Sequence, residues 1–497
     1  MLTLVWAELA LPDAHSVPQT RFGVLVEGSR ILETGSYDAL RERHPSVAVV
    51  GGEGLLLMPA MVDSHDHGRG LGSASLGVPD DLLEIWLPGL WNQPVIDPYL
   101  AAAYDGLRLL RSGVGVVAHS HNPRDWRNMA AEAELTLRGY ADAGIRVAFH
   151  PPIVDQNQLV YADLEGFLAQ LPSDLRAQAL PFANAAPLER ADYFALCAEL
   201  FARYHDPQQH NVHIQVSPAG GQWCSDELIV AAVEFARQHG TRVQMHMLET
   251  QYQRAYAARC WRTTFVRHLD EIGALGPWMT LAHMVWADAG DFALLAERGV
   301  AVAHNPSSNL RLRSGVADVP GLIKAGVTLG IGLDGHALDE DQDYLRELRL
   351  AWTLANRPGS ASPTISAQQL FRMATSGGVA TTFGAHAPLG RIAPGLLADL
   401  VLVDWNAVRG VWFAPWADPF EALLRRATAS CVTHVMIGGR WTVRDAHSTT
   451  LDEAAIVAAI RSELAMQSDP TRRPHALVAR ALAPYLRQFY AAWEETK

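Results

Sequence analysis

The segment LLLMPAMVDSHDH, residues 55–67, runs from a continuous apolar stretch into a polar end that carries two histidines. Further runs of this kind follow, separated by segments of helical length that are rich in alanine and leucine. They occupy residues 114–121, 145–152, 211–218, 242–249, 279–286, 300–306 and 327–334. Apolar strands that alternate with helices indicate a parallel sheet buried on both faces, and eight such units close a barrel. The sequence therefore predicts an α/β fold built on a (β/α)8 barrel, the TIM barrel.

The sequence on either side of the barrel has a different pattern, with short strands and turns. Residues 22–35 and 398–405 are strand-like, and residues 434–446 include Gly438 and Gly439 at a hairpin turn. Two flanking β segments around one barrel predict a small β-sandwich to which both terminal segments contribute.

The predicted domain boundaries follow from these patterns. The first part of the sandwich, the barrel, the second part of the sandwich and an outer helical tail span residues 1–57, 58–390, 391–450 and 451–497. Within the barrel, the stretch 153–210 between the third and fourth strands is long enough to hold an additional helix or a lid.

Composition and charge argue against several classes of protein. The 497 residues are 49% hydrophobic and 19% charged without a low-complexity tract, which argues against a disordered or fibrous chain. The net charge of −13 and the lack of a basic run argue against nucleic acid as a partner. No stretch approaches the roughly 18 apolar residues of a membrane span, and the first residues lack the basic start of a secretory signal. We therefore expect a cytoplasmic protein that does not enter a membrane.

Cysteine usage limits the metal sites that the chain can build. Cys197, Cys224, Cys260 and Cys431 lie far apart without a CxxC pair. This pattern suits neither a disulfide framework nor a thiolate metal site. Nitrogen and oxygen atoms would therefore have to hold any bound metal.

Polar side chains that bind metals end most of the predicted strands. They are His65, His67, His119, His121, His150, His246, His283, His304 and, on the eighth strand, Asp334. A lone histidine is more often a packed or surface residue than a ligand. The carboxyl ends of all barrel strands, however, meet at one mouth. As a group, these side chains predict a functional site there.

Two of these histidines stand in a pattern that suits a metal. His65 and His67 alternate with Asp66 at a strand end, so both imidazoles face the same side. Neutral imidazoles suit a borderline divalent cation such as zinc. His246 and Asp334 extend the set to three nitrogens and one oxygen, which leaves room for a water molecule. A cation held in this way lowers the pKa of its water toward ~7.

Several motifs resemble those of a known family. They are MPAMVDSHDHG (58–68), HMLE (246–249), LAHMVW (281–286), HNPSSNLRLRSG (304–315), GLDG (332–335) and GRIAPGLLADLVLVD (390–404). Together they are similar to the amidohydrolase superfamily, specifically its mononuclear-metal aminohydrolase branch. That branch includes adenosylhomocysteine and methylthioadenosine deaminases, guanine deaminase and s-triazine hydrolases. The resemblance covers nearly the entire chain.

The resemblance implies roles for individual residues. His65, His67, His246 and Asp334 would hold the metal, and His283 would hydrogen-bond the attacking water. Binuclear members of the family bridge two metals with a lysine that ends the fourth strand, but residues 211–218 contain no lysine and no glutamate. The expected cofactor is therefore one divalent ion, with zinc as the first choice and iron or manganese as alternatives. Relatives of this kind are often homodimers or larger homo-oligomers.

Glu249 stands three residues after His246, as in the deaminase members of the family. A carboxyl group there can pass a proton to a ring nitrogen and make the adjacent carbon electrophilic. The expected catalytic residues are Glu249, His283 and Asp334, and the expected reaction is deamination of a planar nitrogen heterocycle or an amidine. One alternative is an amide, urea, carbamate or chloro-s-triazine hydrolase that uses the same nucleophile. A non-catalytic scaffold is disfavoured because the predicted metal-site residues and Glu249 are all present.

The expected substrate contacts are less sharply defined by the motifs. The candidates are Trp86, His121, Gln222, Trp223, His304, Asn309 and His336. Trp86 would stack on a flat ring, with core packing as the alternative. Residues 216–228 lack the histidine that nucleoside deaminases place after the fourth strand, and residues 335–344 add four acidic side chains. Both departures argue against adenosine-type substrates.

Overall fold

The computed structural model describes residues 2–183, 188–360, 364–467 and 474–494. The strands are β1 (Leu2–Ala10), β2 (Gln19–Glu27), β3 (Arg30–Ser36), β4 (Ala48–Pro59), β5 (Met61–Asp66), β6 (Val114–Ser120), β7 (Arg146–His150), β8 (Pro152–Ile153), β9 (Val212–Ile214), β10 (Ser217–Pro218), β11 (Val243–Met247), β12 (Met279–His283), β13 (Ala301–His304), β14 (Thr328–Ile331), β15 (Leu400–Asp404), β16 (Val432–Ile437), β17 (Arg440–Arg444) and β18 (His447–Ser448). The α-helices are α1 (Tyr37–Arg43), α2 (Leu83–Gly89), α3 (Pro98–Arg111), α4 (Met129–Ala143), α5 (Leu164–Ala169), α6 (Ser173–Ala183), α7 (Arg190–Tyr204), α8 (Asp226–His239), α9 (Gln251–Trp261), α10 (Phe265–Glu271), α11 (Ala289–Arg298), α12 (Pro306–Arg311), α13 (Val319–Ala325), α14 (Tyr344–Ala355), α15 (Ala367–Arg372), α16 (Gly378–Thr382), α17 (Trp405–Arg409), α18 (Pro419–Arg426), α19 (Glu453–Met466) and α20 (Pro474–Glu494).

Eight parallel strands form the barrel, in the order β11-β12-β13-β14-β5-β6-β7-β9. Parallel bridges from Val216 to Val243 and from Gly220 to His246 close the ring between β9 and β11. Each strand lies within one of the apolar runs of the sequence, and β5, β6 and β7 are buried along their whole length. The TIM barrel predicted from those runs is confirmed.

The two terminal segments build the small β domain together. Its strands are hydrogen-bonded in the order β18-β17-β16-β15-β4-β1-β2-β3, so β15 from the C-terminal part pairs with β4 from the N-terminal part. Val5, Val24, Leu57 and Leu402 belong to one buried apolar cluster on this sheet. The prediction that both segments form one domain is confirmed, and its strands join as a single continuous sheet.

Helices cover the barrel on the side of the candidate site. The stretch between β8 and β9 holds α5, α6 and α7. The C-terminal helix α20 packs on α2 and α6, where the Tyr490 hydroxyl accepts a hydrogen bond from the backbone N–H of Tyr161. The Tyr252 hydroxyl, near the start of α9, donates to Glu494 over 2.5 Å. None of the helices in the described part of the chain is both long and apolar enough to traverse a bilayer.

A buried ion pair joins the barrel to the small sheet. Arg146, the first residue of β7, is 1% exposed and donates to both carboxylate oxygens of Asp399 over 2.6 and 2.8 Å. Asp399 stands directly before β15 and also accepts from the backbone N–H of Gly438 over 2.7 Å. The bidentate geometry fixes both partners in direction as well as distance. This pair therefore sets the position of the sheet relative to the barrel.

Loss of this carboxylate should destabilise the protein. Asp399→Asn is expected to lower the free energy of unfolding by about 3–5 kcal/mol, because the buried Arg146 guanidinium loses its counter-charge. Urea denaturation followed by fluorescence measures the change. The control Glu421→Gln removes one partner of the exposed Arg425–Glu421 pair and should leave stability almost unchanged. Equal stability of the two variants would contradict the role given to the buried pair.

Candidate metal centre

Three imidazoles and one carboxylate meet at the mouth of the barrel. The Asp334 Oδ1 atom lies 3.3 Å from His65 Nε2 and 3.1 Å from His67 Nε2. His246 Nε2 lies 3.2 Å from His65 Nε2 and 3.3 Å from His67 Nε2. Metal–nitrogen bonds of ~2.0–2.1 Å in tetrahedral coordination place neighbouring ligand atoms ~3.3 Å apart. The four separations in the structure match that spacing.

The far side of each imidazole fixes which nitrogen carries the proton. The Nδ1 atoms of His65, His67 and His246 each face an oxygen that only accepts hydrogen bonds, so each Nδ1 is a donor. The acceptors are Gln244 Oε1 at 2.7 Å, Ser120 O at 2.8 Å and Ala219 O at 2.6 Å. The Nε2 lone pairs therefore point at one another and at Asp334.

These residues fit a bound cation. Burial lowers the pKa of His67 to about 4 and the pKa of His246 well below its usual range, so both rings are neutral near pH 7. Bare nitrogen lone pairs and an anionic oxygen at about 3 Å repel one another unless a positive charge lies among them. The donor set of nitrogen and carboxylate oxygen is the one that divalent transition metals prefer. The site is therefore a candidate metal centre.

His283 groups with His65, His246 and Asp334, because one potential ligand atom of each lies within 4.8 Å of the others. Its Nδ1 atom donates to Asn309 Oδ1 over 2.9 Å, and its buried Nε2 atom has no hydrogen-bond partner among the described residues. That Nε2 lies 3.6 Å from Glu249 Oε2 and 3.8 Å from Asp334 Oδ2. These separations exceed a direct hydrogen bond and suit three groups that contact one reacting molecule.

Glu249 is a buried carboxyl group beside this cluster. It is 2% exposed, and Ser314 Oγ lies 3.4 Å from its Oε1 atom. Burial, followed by the negative charges of Asp334 and Glu84, raises the pKa of Glu249 well above its usual range. Its backbone N–H donates to Gln253 Oε1 over 2.8 Å, which holds this turn in place. The raised pKa favours the protonated carboxyl group, which is the form that can donate a proton.

Strained backbone aims several of these side chains. His283 (φ 76°), Asp334 (φ 46°) and Leu248 (φ 48°), which directly precedes Glu249, have left-handed conformations. Residues other than glycine adopt this region at an energetic cost and do so mainly where surrounding contacts enforce it. The strain therefore lies at strand ends that supply the polar groups of the site.

Two predicted substrate contacts are packed against other side chains. Trp86 is 4% exposed, with the Arg69 guanidinium 5.2 Å from its ring centre and the His336 ring at 5.1 Å. The His336 Nε2 atom lies 3.3 Å from Asp80 Oδ1. A substrate ring that stacks on Trp86 would therefore have to share this aromatic face with Arg69.

Of the other predicted contacts, Trp223 and Asn309 lie beside the metal cluster, while Gln222 and His304 are buried side chains. Trp223, 6.4 Å between ring centres from His246, and Asn309, behind His283, lie next to the metal cluster. Gln222 is fully buried, and neither of its amide atoms has a partner among the described residues. His304 is also buried, and its pKa falls to about 3 because of burial.

His121 lies in a separate hydrogen-bonded group. Its Nδ1 atom is 3.2 Å from His119 Nε2, and its Nε2 atom is 3.4 Å from Glu132 Oε2. The His119 Nδ1 atom is in turn 2.9 Å from the Tyr140 hydroxyl. These contacts give His121 partners of its own, so its part in substrate binding stays a prediction.

Gln244 and Arg69 touch the site but are not among the residues predicted from the sequence. Gln244 holds His65 and stands two residues before His246 on β11, so alternation along the strand could have found it. Arg69 donates through Nη1 to the backbone oxygen of Asp334 over 3.1 Å. No periodic pattern marks Arg69, because it lies in the irregular loop after β5.

Comparison with known proteins agrees with this geometry. The sequence model described as "Amidohydrolase family" matches residues 56–442, and a short segment, 23–46, matches an imidazolonepropionase-like composite domain of bacteria. The chain belongs to the amidohydrolase family. The resemblance inferred from the motifs, and with it the expectation of a hydrolytic enzyme, is confirmed.

Individual relatives are similar over most of their length. A 5'-deoxyadenosine deaminase of Methanothermobacter thermautotrophicus is 29% identical over 448 residues, which are 88% of this chain and 92% of the relative. An 8-oxoguanine deaminase of Pseudomonas aeruginosa is 29% identical over 451 residues, 88% of this chain and 93% of the relative. The crystal structure of an adenosine deaminase from Xanthomonas campestris with bound zinc has a TM-score of 0.77 at 25% identity, covering 93% of this chain and 98% of that one.

Removal of the amide behind His65 should weaken metal binding. Gln244→Ala is expected to lower zinc affinity about 10- to 100-fold, because the His65 ring loses the acceptor that fixes its tautomer and orientation. Competition with a chromogenic chelator measures the affinity. Gln238→Ala, on the exposed side of α8, is the matched control. Unchanged affinity in Gln244→Ala would rule out this orienting role.

Proposed function

We propose that the protein is a zinc-dependent deaminase that hydrolyses the C–N bond of an amino group on a planar nitrogen heterocycle. One metal ion would be held by His65, His67, His246 and Asp334, with iron or manganese as alternatives to zinc. The observation that carries the proposal is the position of His283 Nε2, which lies 3.6 Å from the Glu249 carboxyl group and 3.8 Å from the Asp334 carboxylate. This nitrogen has no hydrogen-bond partner among the described residues, and the pKa of Glu249 is raised. The deaminase names of two relatives support the same reaction.

The side chains divide the proton transfers between them. A divalent cation, when bound, would supply the Lewis acidity that makes a nucleophile available from water near neutral pH. His283 Nε2 and Asp334 Oδ2 would orient the attacking water and accept its proton. Glu249 would protonate the ring nitrogen, so that the adjacent carbon becomes electrophilic. The amino group then leaves as ammonia after it takes up the proton that the water released. The remaining hydroxyl proton returns to Glu249 as the ring carbonyl forms.

Burial of the site shifts the pKa values of Glu249 and His283 in the directions that these proton transfers require. The same desolvation that raises the pKa of Glu249 lowers the pKa of His283 to about 4. One group is therefore an acid and the other a base at the same pH.

We also propose a small-molecule substrate, a cytoplasmic location, no nucleic-acid partner and a homodimer or larger homo-oligomer. Light scattering would test the oligomeric state.

Ammonia release from a panel of ring amines tests the reaction. The panel contains purines, pyrimidines, pterins and s-triazines, each assayed with the zinc-loaded protein. We expect ammonia from at least one heterocyclic amine and one equivalent of metal per chain by elemental analysis. Turnover only of an amide, urea, carbamate or chloro-s-triazine would instead support the alternative hydrolase, and an inactive protein without stoichiometric metal would support a scaffold.

Glu249→Gln should retain the metal and lose turnover. The amide has nearly the same shape but cannot transfer the proton, so kcat is expected to fall about 10²- to 10⁴-fold. Steady-state kinetics and elemental analysis measure the two effects separately. Glu271→Gln, at the exposed end of α10, is the control for loss of one carboxyl group. Full activity in Glu249→Gln would remove the acid role from this residue.

A further inference from the structure

Arg69 is a cation beside the candidate metal centre that forms no salt bridge among the described residues. It follows His67 by two residues and is partly exposed. Its Nη1 atom donates to the backbone oxygen of Asp334 over 3.1 Å, and its guanidinium carbon lies 5.2 Å from the Trp86 ring centre. Among the described residues, no carboxylate oxygen lies within 4.0 Å of its guanidinium nitrogens.

Arg311, a second arginine nearby, is neutralised by salt bridges to carboxylates of the chain. Arg311 forms a bidentate pair with Asp80 over 2.9 and 2.8 Å and an ion pair with Glu340 over 2.8 Å. It also donates to the backbone oxygen of Ala337 over 2.7 Å. Charges withdrawn from water are normally paired in this way. Arg69 has no such salt bridge among the described residues, and the charges of Asp334 and Asp66 act on it only from a longer distance.

The guanidinium is preorganised for a planar anion. It carries five N–H donors, of which one is used by the Asp334 carbonyl, and its remaining fork matches the two oxygens of a carboxylate. The contact with Trp86 and the hydrogen bond to Asp334 hold the group in place before a ligand arrives. The net charge of −13 repels anions from the surface as a whole, so an anionic ligand needs a local cation of this kind.

We propose that Arg69 binds a carboxylate carried by the substrate, so that the enzyme prefers heterocyclic amines that bear a carboxylate group on the ring. This inference rests on the proposed deamination and names its substrate class. Because Arg69 touches Asp334 and Trp86, the carboxylate end of the substrate lies on the Trp86 side of the metal cluster. The amine end then faces Glu249 and His283.

Matched substrate pairs test this preference. The pairs are pterin with pterin-6-carboxylate and cytosine with 5-carboxycytosine, and the readout is the ratio of kcat/KM for the acid to kcat/KM for its parent. A charge-assisted bidentate contact predicts a ratio of about 10 to 100 for at least one pair in the wild type. Arg69→Gln should reduce this ratio to about one, and Arg69→Lys, which keeps the charge without the fork, should give an intermediate ratio. Arg313→Gln removes an exposed cation from the same side and should keep the wild-type ratio.

A binding measurement separates this inference from the proposed reaction. Benzoate should raise the thermal midpoint of the metal-loaded wild type and of Arg313→Gln more than isosteric benzamide does, and this difference should vanish in Arg69→Gln. If no ring amine releases ammonia but benzoate still discriminates these variants, the deaminase proposal fails and the carboxylate site stands. If Arg69→Gln lowers turnover of both members of a pair equally, or binds benzoate as the wild type does, the carboxylate site is wrong.

Discussion

Repulsion among electron-rich atoms is the constraint that organises the mouth of this barrel. Three Nε2 lone pairs and the Asp334 carboxylate lie 3.1–3.3 Å apart in each separation given above, and each imidazole is held from behind by a hydrogen bond. Those outer hydrogen bonds resist rotation of the rings away from one another. They come from a side-chain amide and two backbone carbonyls on neighbouring parts of the barrel wall. The closed sheet therefore holds these four groups in an arrangement that a bound cation would stabilise.

Burial favours the neutral form of both histidine and glutamate in this site, so it disfavours protonation of one and favours protonation of the other. Desolvation disfavours the charged form of any group, so it keeps histidine unprotonated and glutamate protonated. His67 and His283 have pKa values lowered to about 4, while the pKa of Glu249 is raised. An exposed version of the same residues would carry the opposite protonation states near pH 5 to 6. Exclusion of water is thus a chemical requirement of the site as well as a consequence of packing.

Period and spacing in the sequence were enough to predict the barrel and much of the metal cluster. Apolar runs with polar ends mark the strands, and alternation places His65 and His67 on one side. The same reasoning could not find that Arg69 covers a face of Trp86 or that Asn309 supports His283 from behind. Such contacts join loops and depend on side-chain direction, which leaves no periodic trace in the sequence. The motifs therefore predict Trp86 and Asn309 as substrate contacts and give no information about their partners within the protein.

The small sheet is directly connected along the chain to the strand that carries His65. Strand β4 of that sheet ends at Pro59, and β5, which carries His65, begins at Met61. Between them, the backbone N–H of Ala60 donates to the backbone oxygen of Asp399 over 3.0 Å, and the side chain of Asp399 pairs with Arg146. A shift of the sheet along this strand would therefore move His65 relative to His246 on the opposite wall. Because ligand atoms must keep their spacing within a few tenths of an ångström, a rigid anchor at this junction also serves the metal centre.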